Sequence, residues 1–317
     1  MRHAGSEPVR QSTWARDRRA RRRAHGFTLI EMIVSLVLIS VLALTAAPLL
    51  RLPMVAWMDA SRRADLTQSI DIVHAKLADD LRRALPNSVR VRQVGARVLL
   101  ETLEVRAVGR HRAGPSGAAQ VCPAACTAPG NNDALEPGCS ESCFTSLGPL
   151  DGDAPVPGSD WLVVNALGPG VAAGDPYFGG NVAVAGGIKS RLLNMTPAPD
   201  GNRLQITAHN FPAIAANRQF YLVATPVTWD CDPGAQRLTR RWGYPINAVQ
   251  PIAFGAATAA SPLATRVASC TIGYTAAGSS GRGGVVQLQL RLSATALDSG
   301  APEVVELAAS YPVSEGP

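Results

Sequence analysis

The longest apolar stretch of the chain runs from Phe27 to Leu50. These 24 residues contain one charged side chain, Glu31, and they follow a segment rich in arginine. A helix that crosses a bilayer needs about 20 apolar residues, and basic flanking residues stay on the cytoplasmic side. The pattern therefore predicts a transmembrane helix over residues 27–50 and export of everything that follows it.

After this run, apolar residues recur at steps of three and four along residues 51–85. The stripe consists of Ile70, Val73, Leu77, Leu81 and Leu85, with charged residues between its members. Such periodicity indicates a helix with one face packed against a folded domain. We therefore predict that residues 51–85 form the amphipathic half of one long helix. Pro86 should end it, with Ala84 or Leu85 as the last helical residue.

From Pro86 onward the pattern alternates, as is typical of half-buried antiparallel strands. We predict strands at 89–92, 96–100, 161–166, 181–185, 203–208, 218–229, 237–244, 267–274, 285–293 and 303–309. Residues 109–160 differ, being rich in Gly, Pro, Ala and Asp, and hold four cysteines. A structureless segment of this length is unusual unless it is cross-linked or functional. We therefore expect a disulfide-stapled insert.

Together these elements predict an α+β fold, in which a long N-terminal helix packs on a mainly antiparallel β-rich head formed by residues 86–317. The formal charge of +6 belongs to residues 1–26, which hold eight arginines and two acidic residues. The remaining chain has 22 basic and 22 acidic residues. This balance gives no support for nucleic-acid binding.

The start of the apolar run reads Gly26-Phe27-Thr28-Leu29-Ile30-Glu31. Behind a basic leader, this sequence resembles the cleavage and methylation motif of type IV prepilins and type II secretion pseudopilins. The resemblance implies a pilin-like fold and cleavage by prepilin peptidase between Gly26 and Phe27, which removes the leader, residues 1–26. It also implies N-methylation of Phe27 and pairing of Glu31 with the Phe27 ammonium of a neighbouring subunit.

The same resemblance implies location and partners. The unassembled protein is expected to cross the inner membrane once, in contact with its lipid, with a cytoplasmic N-terminus and a periplasmic head. Its N-terminal helix then assembles with other major and minor pilin subunits in a pilus or pilus-like filament.

Two other classes of N-terminal targeting segment share part of this pattern. An ordinary secretory signal has an apolar region of about 7–15 residues, which is shorter than this run. A plain signal anchor accounts for the length and the arginines but not for Glu31. A carboxylate in lipid is costly, and it generally has a partner.

All six cysteines follow the apolar run, on the predicted periplasmic side, where an even number indicates disulfides. Spacing alone does not fix the pairing. We expect a Cys231–Cys270 bridge across neighbouring strands and pairing of the other four among themselves: Cys122, Cys126, Cys139 and Cys143.

Metal sites are the alternatives in this region. The two Cys-x3-Cys pairs could hold zinc, but thiolates are readily oxidised in the periplasm. Calcium could bind near residues 131–133 and 151–153, although no EF-hand-like spacing is present. We predict no metal and no cofactor.

Two further segments, Leu81–Arg90 and the stretch from Trp229 to Tyr244 with a later Ala-Ser-Cys270, resemble minor prepilins of mannose-sensitive haemagglutinin (MSHA) type pili. The resemblance implies a minor subunit with a link to cell adhesion. The bulk of the head after Pro86 favours a place at or near the filament tip. A minor pseudopilin of type II secretion and an unprocessed periplasmic adhesin or receptor are the rival hypotheses.

A membrane-tethered enzyme is a third rival. The sequence contains no nucleophile elbow, zinc-protease motif or phosphate-binding loop. His74, His111 and His209 have no motif neighbours. We therefore expect a structural protein rather than an enzyme.

Overall fold

The computed structural model describes residues 27–112, 114, 134–199, 201–276, 284–296 and 300–313. Within them the chain forms one long helix followed by thirteen strands. Contacts divide the chain into two compact units, Met1–Val55 and Ala56–Pro317. The combination of an N-terminal apolar helix and a mostly antiparallel β-rich body confirms the predicted class.

The helix, α1, comprises Leu29–Arg82. The strands are β1 Arg90–Val94, β2 Arg97–Arg110, β3 Ser140–Thr145, β4 Asp151–Gly152, β5 Trp161–Val164, β6 Lys189–Ala198, β7 Gly201–Asn210, β8 Gln219–Asp232, β9 Arg237–Trp242, β10 Ala259–Thr265, β11 Val267–Thr275, β12 Val285–Thr295 and β13 Pro302–Pro312.

Helix α1 ends earlier than predicted, because the residues after Arg82 bond to β2 instead of continuing the helix. The Leu85 amide donates to the Leu103 carbonyl at 2.7 Å, and the Val105 amide donates to the Arg83 carbonyl at 2.8 Å. The neighbouring strand thus satisfies backbone groups that a longer helix would use. Ala84 and Leu85 are therefore not helical, contrary to the prediction.

One predicted strand is absent. Residues 181–185 lie in a loop between β5 and β6, where Gly179 and Gly180 have φ angles of 75° and 59°. Such positive φ values are incompatible with an extended strand and suit glycine. Conversely, β3, β4, β6 and β10 were not predicted. Pro197 in β6 and Pro262 in β10 are residues that normally argue against a strand.

Ten strands form one antiparallel sheet. Seven of them are ordered β1-β2-β8-β5-β6-β7-β3, while β4 pairs with β2, and β9 joins β8 to β10. The long strands β2 and β8 pair from Val98 opposite Cys231 to Arg110 opposite Gln219. The other strands of the sheet are arranged around this long pair.

The remaining strands form a second antiparallel sheet, ordered β11-β12-β13. The predicted Cys231–Cys270 disulfide is present, with a Cα–Cα distance of 6.5 Å. It joins β8 to β11, so it links the two sheets rather than neighbouring strands of one sheet.

The predicted apolar stripe of α1 is buried within the second unit. Its members Ile70, Val73, Leu77 and Leu81 are at most 7% exposed, as is Leu66 one turn earlier. They share one core with both sheets, which contribute Val98, Leu100, Val227, Trp229, Val286, Leu288, Leu290 and Leu292. Hydrophobic burial on one face therefore holds this half of the helix in the head.

The described part of the predicted insert is folded, not structureless. Strand β3 pairs with β7 and β4 pairs with β2. Leu135 and Phe144 are fully buried in a second core with residues of β5, β6, β7 and β8. The sequence 109–160 has few large apolar residues, but these two pack into the core beneath the sheet.

A buried ionic cluster connects α1 to the large sheet. The Asp80 carboxylate accepts hydrogen bonds from Arg240 at 2.7 and 3.1 Å and from the Trp229 indole at 2.8 Å. Lys76 Nζ lies 3.1 Å from the same carboxylate. Because Asp80 is 7% exposed, these donors replace the water that its charge loses on folding.

Candidate functional site

The candidate site is the N-terminal end of α1. Thr28 precedes the first helical residue, and its hydroxyl accepts a hydrogen bond from the Glu31 amide at 3.3 Å. The Thr28 carbonyl accepts from the Met32 amide at 3.1 Å. Thr28 is therefore the N-cap, and Glu31 is the third helical residue, the spacing of a capping box.

The sequence signal for this cap is Thr28 followed three residues later by Glu31, a local role that the interpretation of Glu31 as an assembly residue leaves out. The cap gives Glu31 a local role, because an acidic side chain in the first turn interacts favourably with the helix dipole. Gly26, the residue before the expected cleavage point, lies outside the described residues.

The first half of α1 presents apolar side chains on all sides. Leu29–Ala46 has a mean hydropathy of 2.5, and none of this segment is buried. Phe27, Leu29 and Leu44 are each more than 70% exposed. A helix that is apolar all round is stable only where lipid or other protein covers it. The length and composition are those of a membrane-spanning helix.

The hydroxyl groups in this segment donate hydrogen bonds to backbone carbonyls of the same helix. Ser35 donates to the Glu31 carbonyl at 2.6 Å, Ser40 donates to the Leu36 carbonyl at 2.7 Å, and Thr45 donates to the Leu42 carbonyl at 3.0 Å. Bonds to carbonyls one turn earlier need no water. These residues are therefore compatible with an apolar environment.

Glu31 remains the exception. Its amide and carbonyl have partners within the helix, but no ion pair or hydrogen bond joins its carboxylate to any of the described residues. An ionised carboxylate in an apolar setting needs a cation or donors. The geometry leaves room for a partner from outside the described chain.

Comparison with known families places residues 21–47 on the prokaryotic N-terminal methylation motif. This motif is the one that indicates type IV pilin-like and pseudopilin proteins, and here it is matched by residues 21–47 alone. The motif implies processing by a prepilin peptidase and assembly with other pilins, and together with the apolar helix it suggests a membrane anchor. Comparisons with curated proteins and with solved structures gave no match.

The match covers the end of the basic N-terminal segment and the apolar half of α1. The pilin-like description therefore concerns the N-terminal helix and not the β-rich head. The expected roles of Gly26, Phe27 and Glu31 stay predictions, because the motif identifies the segment and not the state of each residue.

The cysteines are divided between described and undescribed residues. Cys139 and Cys143 are disulfide-bonded, whereas Cys122 and Cys126 lie outside the described residues. Pairing within this cluster therefore stays a prediction. Among the described residues, no group of three or more His, Cys, Asp or Glu side chains is placed to hold a metal ion.

Proposed function

We propose that this chain is a minor prepilin-like structural subunit of a type IV pilus of the MSHA type. The observation that carries the proposal is the order of features at the N-terminus: basic leader, Gly26, Phe27, one acid at Glu31, and an apolar helix that nothing in the described chain covers. A plain anchor needs the length and the basic flank but has no use for the acid.

The proposed role gives Glu31 its missing partner. Cleavage after Gly26 creates a cationic amino terminus at Phe27, and N-methylation keeps that charge. In a bundle of such helices, the terminus of one subunit can pair with Glu31 of another. An ion pair in an apolar bundle contributes chiefly to register, because isolated charges there are unfavourable.

We place the subunit at or near the filament tip. A repeating subunit must fit its head between identical neighbours, whereas a single copy at the end has free space. Two sheets and a stapled segment make a large head for lateral packing. The role is structural and not catalytic, with adhesion as the associated activity. In a type II secretion filament the same arrangement makes a minor pseudopilin, and neighbouring genes distinguish the two systems.

The decisive experiment is mass spectrometry of the mature N-terminus, made in cells that contain a prepilin peptidase. We expect the chain to start at N-methylated Phe27. Gly26→Val should block cleavage, because the extended backbone at glycine fits a protease cleft that a branched side chain obstructs. Gly5→Val, elsewhere in the leader, is the matched control and should mature normally. An unmethylated or uncleaved wild-type chain rejects the proposal in favour of an unprocessed anchored protein.

A further inference from the structure

A cleft in the large sheet lies where β2 and β8 fall out of register. The pairing of the two strands skips Ala224 of β8 and then Arg106 of β2, so each of these residues lacks an opposite partner. Bulges of this kind bend a strand and turn side chains out of their regular alternation. Ala224 and Arg106 both line the cleft, and so does Glu104 next to the first bulge.

The walls of the cleft are largely apolar. They include the rings of Trp161, Trp242 and Tyr244 and the side chains of Pro245 and Ile246. The cleft has a volume of about 450 Å³, which lies within the range of small-molecule sites, about 300–1,000 Å³. Apolar walls with a few polar groups are the usual composition of such sites, and the polar groups decide which ligand fits.

Three charged side chains line the cleft, namely Glu104, Arg106 and Arg191. Arg106 has its own counter-charge, because its Nε lies 2.9 Å from the carboxylate of Asp160. Asp160 is fully buried, so it stays with the arginine that it neutralises. The charges left for a ligand are therefore one anion, Glu104, and one cation, Arg191.

The guanidinium of Arg191 is fixed in place but keeps spare donors. It donates to the Ser159 carbonyl at 2.5 Å and to the Asn181 side-chain oxygen at 3.2 Å. It also lies 3.9 Å from the centre of the Trp161 ring. A guanidinium has five N–H donors, so three of them have no hydrogen-bond partner among the described residues. Because the group is already held, a ligand would bind it at little cost in ordering.

Glu104 is the complementary group on the strand side of the cleft. Its side chain is half-buried, and within the described part of the chain its carboxylate has neither a hydrogen bond nor an ion pair. Glu104 and Arg191 do not pair with each other, although both line the same cleft. A charge in a partly buried cleft loses some of its hydration, and a ligand of opposite charge replaces what is lost.

We infer that the cleft binds a small zwitterion of the amino-acid or short-peptide class, with its ammonium at Glu104 and its carboxylate at Arg191. One unpaired charge of each sign fits a ligand that carries both. The planar guanidinium can bind a carboxylate through two parallel hydrogen bonds, and the aromatic and aliphatic walls suit an apolar side chain. The cleft belongs to the β-rich head, which the methylation motif does not cover, so this inference goes beyond the proposed function and does not depend on it.

The first test changes the ligand and leaves the protein unaltered. Calorimetric titration of the full-length protein in detergent should show saturable binding of leucine or of alanyl-leucine below about 10 mM. N-acetylation of the tighter ligand removes its ammonium, and amidation removes its carboxylate. Each change should weaken binding at least about tenfold, because a charge-assisted hydrogen bond is lost. The inference is overturned if neither ligand binds, or if either blocked form binds as tightly as the zwitterion.

The second test changes the protein. Glu104→Gln and Arg191→Gln should each weaken binding of the zwitterion at least about tenfold. Glu306→Gln and Arg291→Gln are the matched controls, because these two residues form an exposed ion pair in the smaller sheet, and binding should stay within about twofold of wild type. Unfolding midpoints reveal any variant that fails to fold, and the blocked ligands still test its charge. Wild-type affinity of either cleft variant, or an equal loss in the controls, contradicts the inference.

Discussion

Two carboxylates on α1, Glu31 and Asp80, occupy apolar surroundings, and the chain provides for them in different ways. Asp80 is enclosed by Arg240, Trp229 and Lys76 within the head. Glu31 lies in a helix segment with no buried residue and has no side-chain partner among the described residues. Asp80 therefore has its partners within the chain, whereas the partner that we propose for Glu31 belongs to another subunit.

The difference separates folding from assembly. A buried charge is retained only where other groups replace water. Because the partners of Asp80 belong to the same chain, removing Asp80 should affect the stability of the head. If the partner of Glu31 belongs to another chain, removing Glu31 should affect assembly and leave the head unchanged.

The largest effect is expected at Glu31. Glu31→Val should insert into the membrane and mature normally, yet its recovery in sheared filaments should fall at least about tenfold, because register depends on the charge pair. Immunoblots of membrane and filament fractions measure both quantities. The unfolding midpoint of the purified full-length variant should match that of wild type in the same detergent.

Glu31→Gln distinguishes the two roles that the structure gives this residue. Glutamine serves in a capping box as glutamate does but carries no charge. If the charge pair with Phe27 is essential, Glu31→Gln assembles as poorly as Glu31→Val. Assembly at the wild-type level would show that the cap alone explains Glu31, and the paired role would then be wrong.

The next effect concerns Asp80. Asp80→Ala should lower the free energy of unfolding by about 3–5 kcal/mol, because it leaves Arg240 buried without its counter-charge. Denaturant titration of the full-length protein in detergent gives this number. Asp71→Ala, at an exposed position of the same helix, should change it by less than about 0.5 kcal/mol. Equal stabilities of the two variants contradict the proposed importance of the cluster.

These two sites also show what the sequence could and could not predict. Glu31 stood out because it is the only charge in a long apolar run, a signal that needs no tertiary information. Asp80 lay in a charged stretch beside Asp79, and periodicity alone did not show that it faces the core. Its partner Arg240 is 160 residues away, and such pairings follow from strand order, which local patterns do not encode.

The strands also differ in how far their own sequences predict them. The alternation in β12 predicted its half-buried position, because one face of β12 meets the core and the other meets solvent. Strand β10 runs Ala-Ala-Ser-Pro-Leu-Ala-Thr, a sequence with weak strand propensity that forms because β9 supplies its pairing partner. The hydrogen bonds of Arg90, Arg92 and Arg97 to carbonyls of the loop between β9 and β10 likewise leave no mark in the sequence.

The chain's two lysines give a third and smaller contrast between charge environments. Lys76 lies beside Asp79 and Asp80; burial opposes its charge, but the two carboxylates raise its pKa. Lys189 is 1% exposed, and its ammonium donates to the Phe178 carbonyl. No ion pair reaches it from the described residues. Burial lowers the pKa of Lys189 to about 8, with a weak opposing effect from Asp175.

The pH dependence of stability should therefore differ between Lys189→Met and Lys76→Met. Between pH 8 and the ordinary lysine pKa of 10.5, the unfolded chain binds more protons at position 189 than the folded chain, so wild-type stability rises with pH in this window. The penalty of burying the charged form is fully present below it. From about pH 7.5 to about pH 10, the stability of wild type relative to Lys189→Met should rise by about 2 kcal/mol. Relative to Lys76→Met it should not rise, because a raised pKa gives stability that is lost at high pH. If the stability of wild type relative to Lys189→Met does not change with pH, then Lys189 reaches water. The two lysines would in that case differ in exposure and not in pairing.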